Sequence, residues 1–260
     1  MTFTLAEAKL AKGTLSYHVG GTGAPLLCLH SAAGIRIGPA LERLAELRRL
    51  YMPIFPGFDG TPPWPEIRSM DGLADLAAEF AKAAIGAPCD LMGHSLGGWV
   101  ACALAVRHPG RLQQLVLHAA AGFAPEGSPG LPNDPARLRQ LAFAHPENLP
   151  PEQKPPETLR TNRAMVDRYT GETAADPGLK SRLGEISALT LILYGTKDGL
   201  VPVASPRLLK ERIPRSHLIY VYDAAHAIDI DQPARFVSLV GDFLALGEAF
   251  IVNRSRDGAA

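Results

Sequence analysis

The segment best suited to covalent chemistry is Gly93-His94-Ser95-Leu96-Gly97. It follows the apolar run Asp90 to Met92 and precedes a helical pattern through Val106, the context that a nucleophile elbow requires. In such a strand-to-helix turn Gly93 and Gly97 keep strand and helix free to approach, and the Ser95 hydroxyl projects at the helix start. There the helix amino terminus and the amide of Leu96 can stabilise negative charge on a substrate oxygen.

A hydroxyl is a weak nucleophile at its ordinary acidity, so Ser95 needs a base, and the base needs a third group to fix its tautomer. Eight histidines are present. His226 follows a strand candidate and opens the loop Ala224 to Ile228 before the final helix, the loop-borne position a catalytic imidazole needs. His94 adjoins Ser95 but points elsewhere on the elbow, and His30 ends a strand. His18, His108, His118, His145 and His217 lack an acid and serine pattern. For the acid, Asp198 stands just past the run Leu189 to Tyr194, at the carboxyl end of a strand, where ligand and catalytic groups of open α/β sheets gather. Asp223, Asp229 and Asp231 are nearer to His226 along the chain, but a sequence neighbour rarely orients a ring from behind while its front faces the serine. The order Ser95, Asp198, His226 follows. A second donor for a developing oxyanion is assigned to the amide of Ala32, in the loop His30-Ser31-Ala32-Ala33-Gly34 after the strand Pro25 to Leu29.

Seven short apolar runs bounded by turn residues are strand candidates: Thr14 to Val19, Pro25 to His30, Leu50 to Phe55, Pro88 to Met92, Leu112 to His118, Leu189 to Tyr194 and His217 to Tyr222. Helical spacing lies between several of them, as at Leu73, Leu76, Ala77 and Phe80, and alternation of the two argues for a mainly parallel sheet. The first two strands, with the turn signal Gly20-Gly21, are expected to form an antiparallel edge. The rhythm breaks between Gly122 and Ser187. Of 23 prolines, 10 fall in residues 122–186, and no strand candidate does. Three short helices are expected there, Pro135 to Ala144, Glu157 to Tyr169 and Pro177 to Leu183, as a small helical cap on a core formed by residues 1–121 and 187–260. Phe123, Leu131, Phe143, Met165 and Tyr169 are candidates to line a pocket beneath it or to form its own core. Residues 253–260 are expected to be a frayed tail.

The 260 residues carry 26 basic and 26 acidic side chains and are 47% hydrophobic, which excludes disorder as the main state and argues against a nucleic-acid partner. No apolar stretch approaches the roughly 20 residues needed to span a bilayer, and the first residues do not read as a signal peptide, so a cytoplasmic location without membrane attachment is expected. Cys28, Cys89 and Cys102 cannot all pair and are expected to be structural thiols. No aromatic stripe or charged run marks a contact between subunits.

LLCLHSAAG, PGFDGT, GHSLGGWVA, LILYGTKDGLVP and AAHAIDIDQPARF, in this order and spacing, resemble the α/β-hydrolase superfamily, in its capped esterase and carbon-carbon hydrolase branch. The resemblance implies an α/β-hydrolase fold with a mainly parallel eight-stranded sheet. It also implies a Ser95, Asp198, His226 triad, an oxyanion hole from Ala32 and Leu96, and no metal or organic cofactor. Family members usually have glycine where Ser31, Asp59 and Ala225 stand, and the meta-cleavage product hydrolases typically carry Trp where Ala227 stands. Asp59 precedes Gly60 and is expected to be a solvated turn aspartate. The function expected is hydrolysis of a small carboxylic ester, lactone or thioester through an acyl-enzyme. The alternatives are carbon-carbon bond hydrolysis of a meta-cleavage-type diketone, or slow turnover by a small-molecule-binding member of the fold.

Overall fold

The computed structural model describes residues 2–150, 154–171, 173 and 175–251; the tail expected over 253–260 lies outside the described residues. Eight strands form one sheet: β1 (Thr4–Leu10), β2 (Gly13–Gly20), β3 (Pro25–Leu29), β4 (Arg49–Pro53), β5 (Cys89–His94), β6 (Leu112–His118), β7 (Leu189–Gly195) and β8 (Ser216–Val221). Their spatial order is β1-β2-β4-β3-β5-β6-β7-β8. Pairing is parallel from β4 through β8 and antiparallel for β1 with β2 and β2 with β4. Every residue of β7, LTLILYG, is buried, as a strand covered on both faces must be.

The structure corrects two expectations from the sequence. The half-polar run TLAEAKL forms β1, an edge strand exposed along one side, which a search for apolar runs passes over. The strands β2 and β3 do not pair with each other: β2 lies against β1 and β4. Gly20-Gly21 is therefore a passage across the sheet rather than a hairpin turn.

Helices α1 (Pro39–Leu44), α2 (Met70–Ala84) and α3 (Leu96–Arg107) connect the first parallel strands. The α2 helix starts where the Ser69 hydroxyl accepts from the Gly72 amide at 3.1 Å, and it buries the predicted stripe Leu73, Leu76, Ala77 and Phe80. Every residue of α3 from Leu96 to Val106 is buried. Between β6 and β7 run α4 (Pro135–Ala142), α5 (Pro156–Thr170) and α6 (Pro177–Arg182), close to the three helices expected from the sequence. Then come α7 (Ala204–Arg212), α8 (Ile228–Asp231) and α9 (Pro233–Leu246). All three cysteines are free and buried; burial pushes their thiols up, Cys89 to about 11, which leaves them inert. Among the described residues no helix is long and apolar enough to cross a membrane.

Candidate active site

Ser95 occupies the turn between β5 and α3 with φ 54° and ψ −112°, a conformation natural only to glycine. Holding an L residue there costs on the order of 1–3 kcal/mol, and the cost is met by bonds on both sides of the residue. The Ser95 amide donates to His118 O at 2.9 Å, while its carbonyl accepts from Gly98, Trp99 and Ala121 amides at 2.9, 3.2 and 3.0 Å. Gly93 and Gly97 leave the room this requires. A Cβ on Gly93 would collide with the Gly97 carbonyl, and one on Gly97 with the carbonyls of Leu29 and His30.

His226, on the loop after β8, brings Nδ1 to 3.0 Å from Asp198 Oδ2, on the loop after β7. Both side chains are nearly buried. The other carboxylate oxygen of Asp198 accepts from the amides of Leu200 and Val201 at 2.8 and 3.0 Å. Burial would raise this carboxyl, but the His226 ring and those two amides outweigh it and hold Asp198 below the usual carboxylate range. The carboxylate is thus ionised, with one oxygen holding the Nδ1 edge of the imidazole and the other held by the two amides.

A cavity of about 390 Å³ opens over these groups, and Ser95, Leu96, His226 and Ala32 all line it. Its remaining wall is mostly apolar, with Trp99, Leu131, Val166, Leu200 and Val201. A polar exception is Arg163, whose Nε lies 3.6 Å from Asp167 and whose Nη2 donates to Leu131 O. Of the five pocket candidates in the helical segment, only Leu131 lines this cavity. Phe123 is buried in the core, Met165 packs at Gly57, Tyr169 donates to Pro56 O at 2.8 Å, and Phe143 lies beneath the Arg36 guanidinium. Among these five the aromatic side chains and Met165 serve packing, and only Leu131 faces the cavity.

Three further histidines brace the loops that carry these residues. His30 sits at the end of β3; its Nε2 accepts from the Phe55 amide at 3.1 Å and its Nδ1 meets Ser31 O at 2.8 Å, so it is neutral, and burial pushes it down to about 4. His118 Nε2 accepts from the Ile228 amide at 3.1 Å, and His94 Nε2 donates to His226 O at 3.2 Å. These two bonds grip the main chain on either side of Ala227. Burial drives His94 well below its ordinary value and His118 down to about 3.

His94, His118 and Asp229 are also near enough together to be considered as metal ligands. Their geometry does not fit one. The two imidazoles stack with centroids 3.9 Å apart and planes 8° from parallel, so an ion at the usual ~2.1 Å would lie far out of at least one ring plane, away from its lone pair.

Asp231, an acid near His226 in sequence, lies behind the His226 loop rather than against the ring. Its carboxylate accepts from the amides of Ala225 at 2.7 Å, Ala144 at 3.0 Å and His145 at 2.8 Å. The expectation of a solvated turn at Asp59 is overturned. Its carboxylate accepts from the Ile35 amide and the Asn162 amide group and pairs with Lys154, and these contacts outweigh burial to keep its carboxyl below the usual range. Nothing local marks Asn162 or Lys154; both come from the segment between β6 and β7, about a hundred residues away.

Residues 24–239 match the model of the alpha/beta hydrolase family. The chain is 31% identical to a 2-hydroxymuconate semialdehyde hydrolase of Pseudomonas sp. (strain CF600) over 262 aligned residues, spanning 91% of this chain and 92% of the relative. It is also 31% identical to a pimeloyl-[acyl-carrier protein] methyl ester esterase of Aeromonas salmonicida (strain A449), over 86% of this chain and 96% of that one. Among solved structures, a serine hydrolase of Cycloclasticus zankles superposes with a TM-score of 0.77 at 19% identity, covering 94% of this chain and 98% of the other. A meta-cleavage product hydrolase of Pseudomonas fluorescens IP01 does so with a TM-score of 0.76 at 22% identity, covering 92% and 97%. With its sheet order, its strained serine turn and these likenesses, the chain belongs to the alpha/beta hydrolase family.

Proposed function

We propose that the protein is a serine hydrolase that cleaves a small carboxylic ester, lactone or thioester through a Ser95, His226, Asp198 triad. The observation that carries this reading is the His226 ring, bonded through Nδ1 to an ionised Asp198 while lining one cavity with Ser95 and the residues Ala32 and Leu96. With Nδ1–H committed to Asp198, Nε2 is the nitrogen free to act as a base. As the Ser95 Oγ–carbon bond forms, Nε2 takes the hydroxyl proton and the carbonyl π pair moves onto oxygen, where the amides of Ala32 and Leu96 donate to it. Collapse breaks the bond to the leaving oxygen or sulfur, which receives the proton from Nε2. Water then attacks the acyl-enzyme, gives its proton to Nε2, and the acid departs as that proton returns to Ser95. Asp198 stays ionised throughout and stabilises the imidazolium. Residues 122–186 act as a cap that closes the cavity and limits the acyl group.

A second reading, carbon-carbon bond hydrolysis of a meta-cleavage-type diketone, is favoured by the likeness to 2-hydroxymuconate semialdehyde hydrolase. Ala227, where such enzymes resemble one another in carrying Trp, weighs against it.

Treatment with a fluorophosphonate followed by peptide mapping tests the nucleophile without knowledge of the substrate. A single adduct on Ser95, lost in His226→Ala, is expected. Short esters, lactones and a dienoate diketone, offered to the same protein, then separate the two hydrolytic readings. Absence of an adduct on folded protein would sink both and leave a binding protein.

A further inference from the structure

Asn162 is a fully buried amide in the middle of α5, and all of its side-chain bonds leave the helical segment for the core. Its Oδ1 accepts from the Asp59 amide at 2.9 Å, and its Nδ2 donates to Ala33 O at 3.0 Å and to Asp59 Oδ1 at 2.9 Å. Asp59 in turn accepts from the Ile35 amide through Oδ2 at 2.8 Å and pairs with Lys154 through Oδ1. The result is a closed polar cluster that grips the loop 31–35 at two points: Asn162 of α5 holds the carbonyl of residue 33 directly, and Asp59, itself held by Asn162 and Lys154, holds the amide of residue 35. That loop carries the Ala32 amide. Asp59 itself sits at φ 51°, in the left-handed region that aspartate enters more readily than most L residues.

We propose that Asn162 and Asp59 are positioning residues for the oxyanion hole: seating α5 on the core holds the loop 31–35 so that the Ala32 amide points at the developing oxyanion. The proposal rests on the functional reading above. It makes rate, rather than substrate affinity alone, depend on how the helical segment is docked. A donor aimed where charge develops acts only in the transition state, so its misplacement lowers kcat and leaves KM nearly unchanged. Apart from the bond of Ser31 O to His30 Nδ1, the described bonds that hold the polar backbone of this loop from outside come from these two side chains. Backbone placement errors near 1 Å cost about a hundredfold in rate elsewhere, and an indirect loss here should fall between about ten- and a hundredfold.

Three variants test this. Asn162→Leu removes the amide while keeping the branched heavy-atom shape. Asp59→Gly removes the carboxylate while freeing the backbone from its positive φ, so it folds even where the buried leucine is not tolerated. Asp59→Asn keeps an acceptor for the Ile35 amide but turns a donor toward Asn162 Nδ2 and Lys154, so it releases only part of the cluster. Steady-state hydrolysis of a short p-nitrophenyl ester is read beside deuterium exchange of the peptides covering 31–35 and 223–231. Expected are a ten- to hundredfold fall in kcat with KM within threefold for the first two variants, a smaller fall in Asp59→Asn, which keeps only the Ile35 acceptor, and faster exchange confined to 31–35. Unchanged kcat, or unchanged exchange at 31–35, overturns the proposal. A native protein that hydrolyses no ester would overturn the functional reading instead, and exchange at 31–35 would still decide whether these side chains hold the loop.

Discussion

At the scale of single residues, Ser95 shows chemistry and stability pulling in opposite directions. Its backbone is bonded at both the amide and the carbonyl into a conformation that suits glycine, and the strain is stored at the residue proposed as nucleophile, which lines the cavity. Ser95→Gly should therefore unfold at higher urea than Ser95→Ala, by about 1 kcal/mol, while both lose hydrolysis. Equal stability of the two would mean that the turn is relaxed and the strain argument fails. Ser95 is legible in the sequence because its requirements are local: two glycines, one strand and one helix within a dozen residues. Asp59 reads there as solvent-facing because its partners Asn162 and Lys154 are distant along the chain, and Asp-Gly looks the same whether or not a helix lies on it.

At the scale of elements, the loop bearing His226 is held almost entirely by groups outside it. His94 donates to the carbonyl of His226, and His118 accepts from the amide of Ile228. The amide of Ala227 donates to Ala142 O at the end of α4, at 3.1 Å, and Asp231 accepts from the amide of Ala225. Asp231 also accepts from Ala144 and His145, just past α4, so one buried carboxylate joins the helical segment to the His226 loop. Truncating it leaves three amides without an acceptor. Asp231→Ala should cost about 3 kcal/mol or more in urea unfolding, because each orphaned buried donor forfeits its hydration. A loss below about 1 kcal/mol would show that water replaces the carboxylate and that the joint is not structural. The helices themselves are readable from apolar spacing and proline positions, whereas β1 is not: its alternation is weak, and what makes it a strand is the register it finds on β2.

At the scale of the molecule, three neutral imidazoles buried beside the sheet make stability depend on pH. Above their ordinary value of 6.5, His30, His94 and His118 are uncharged in both folded and unfolded chains and contribute no pH dependence. As pH falls below it, the unfolded chain binds protons that the native interior refuses, since burial holds His30 down to about 4, His118 to about 3 and His94 well below 6.5. Stability is lost across that window, by about 4 kcal/mol between about pH 7 and pH 5 from His30 and His118, with His94 acting in the same direction. Asp198 acts lower: its depressed carboxyl contributes stability above its ordinary 3.8 that is lost only as pH falls beneath that value. Urea unfolding at the two pH values measures the effect, and a change below about 1 kcal/mol would mean that the histidines charge freely in the native state. The sequence by itself determined the alternation of strands and helices, the serine turn and the strand-end positions of Asp198 and His226, because each depends on residues within one element or at one strand end. Tertiary structure alone decided that Asp231 holds the His226 loop to the helical segment, that Asn162 and Lys154 meet Asp59, and which side chains face the cavity. Those contacts join residues tens to about a hundred positions apart, and such pairings arise only when the packed sheet brings loop ends to one edge.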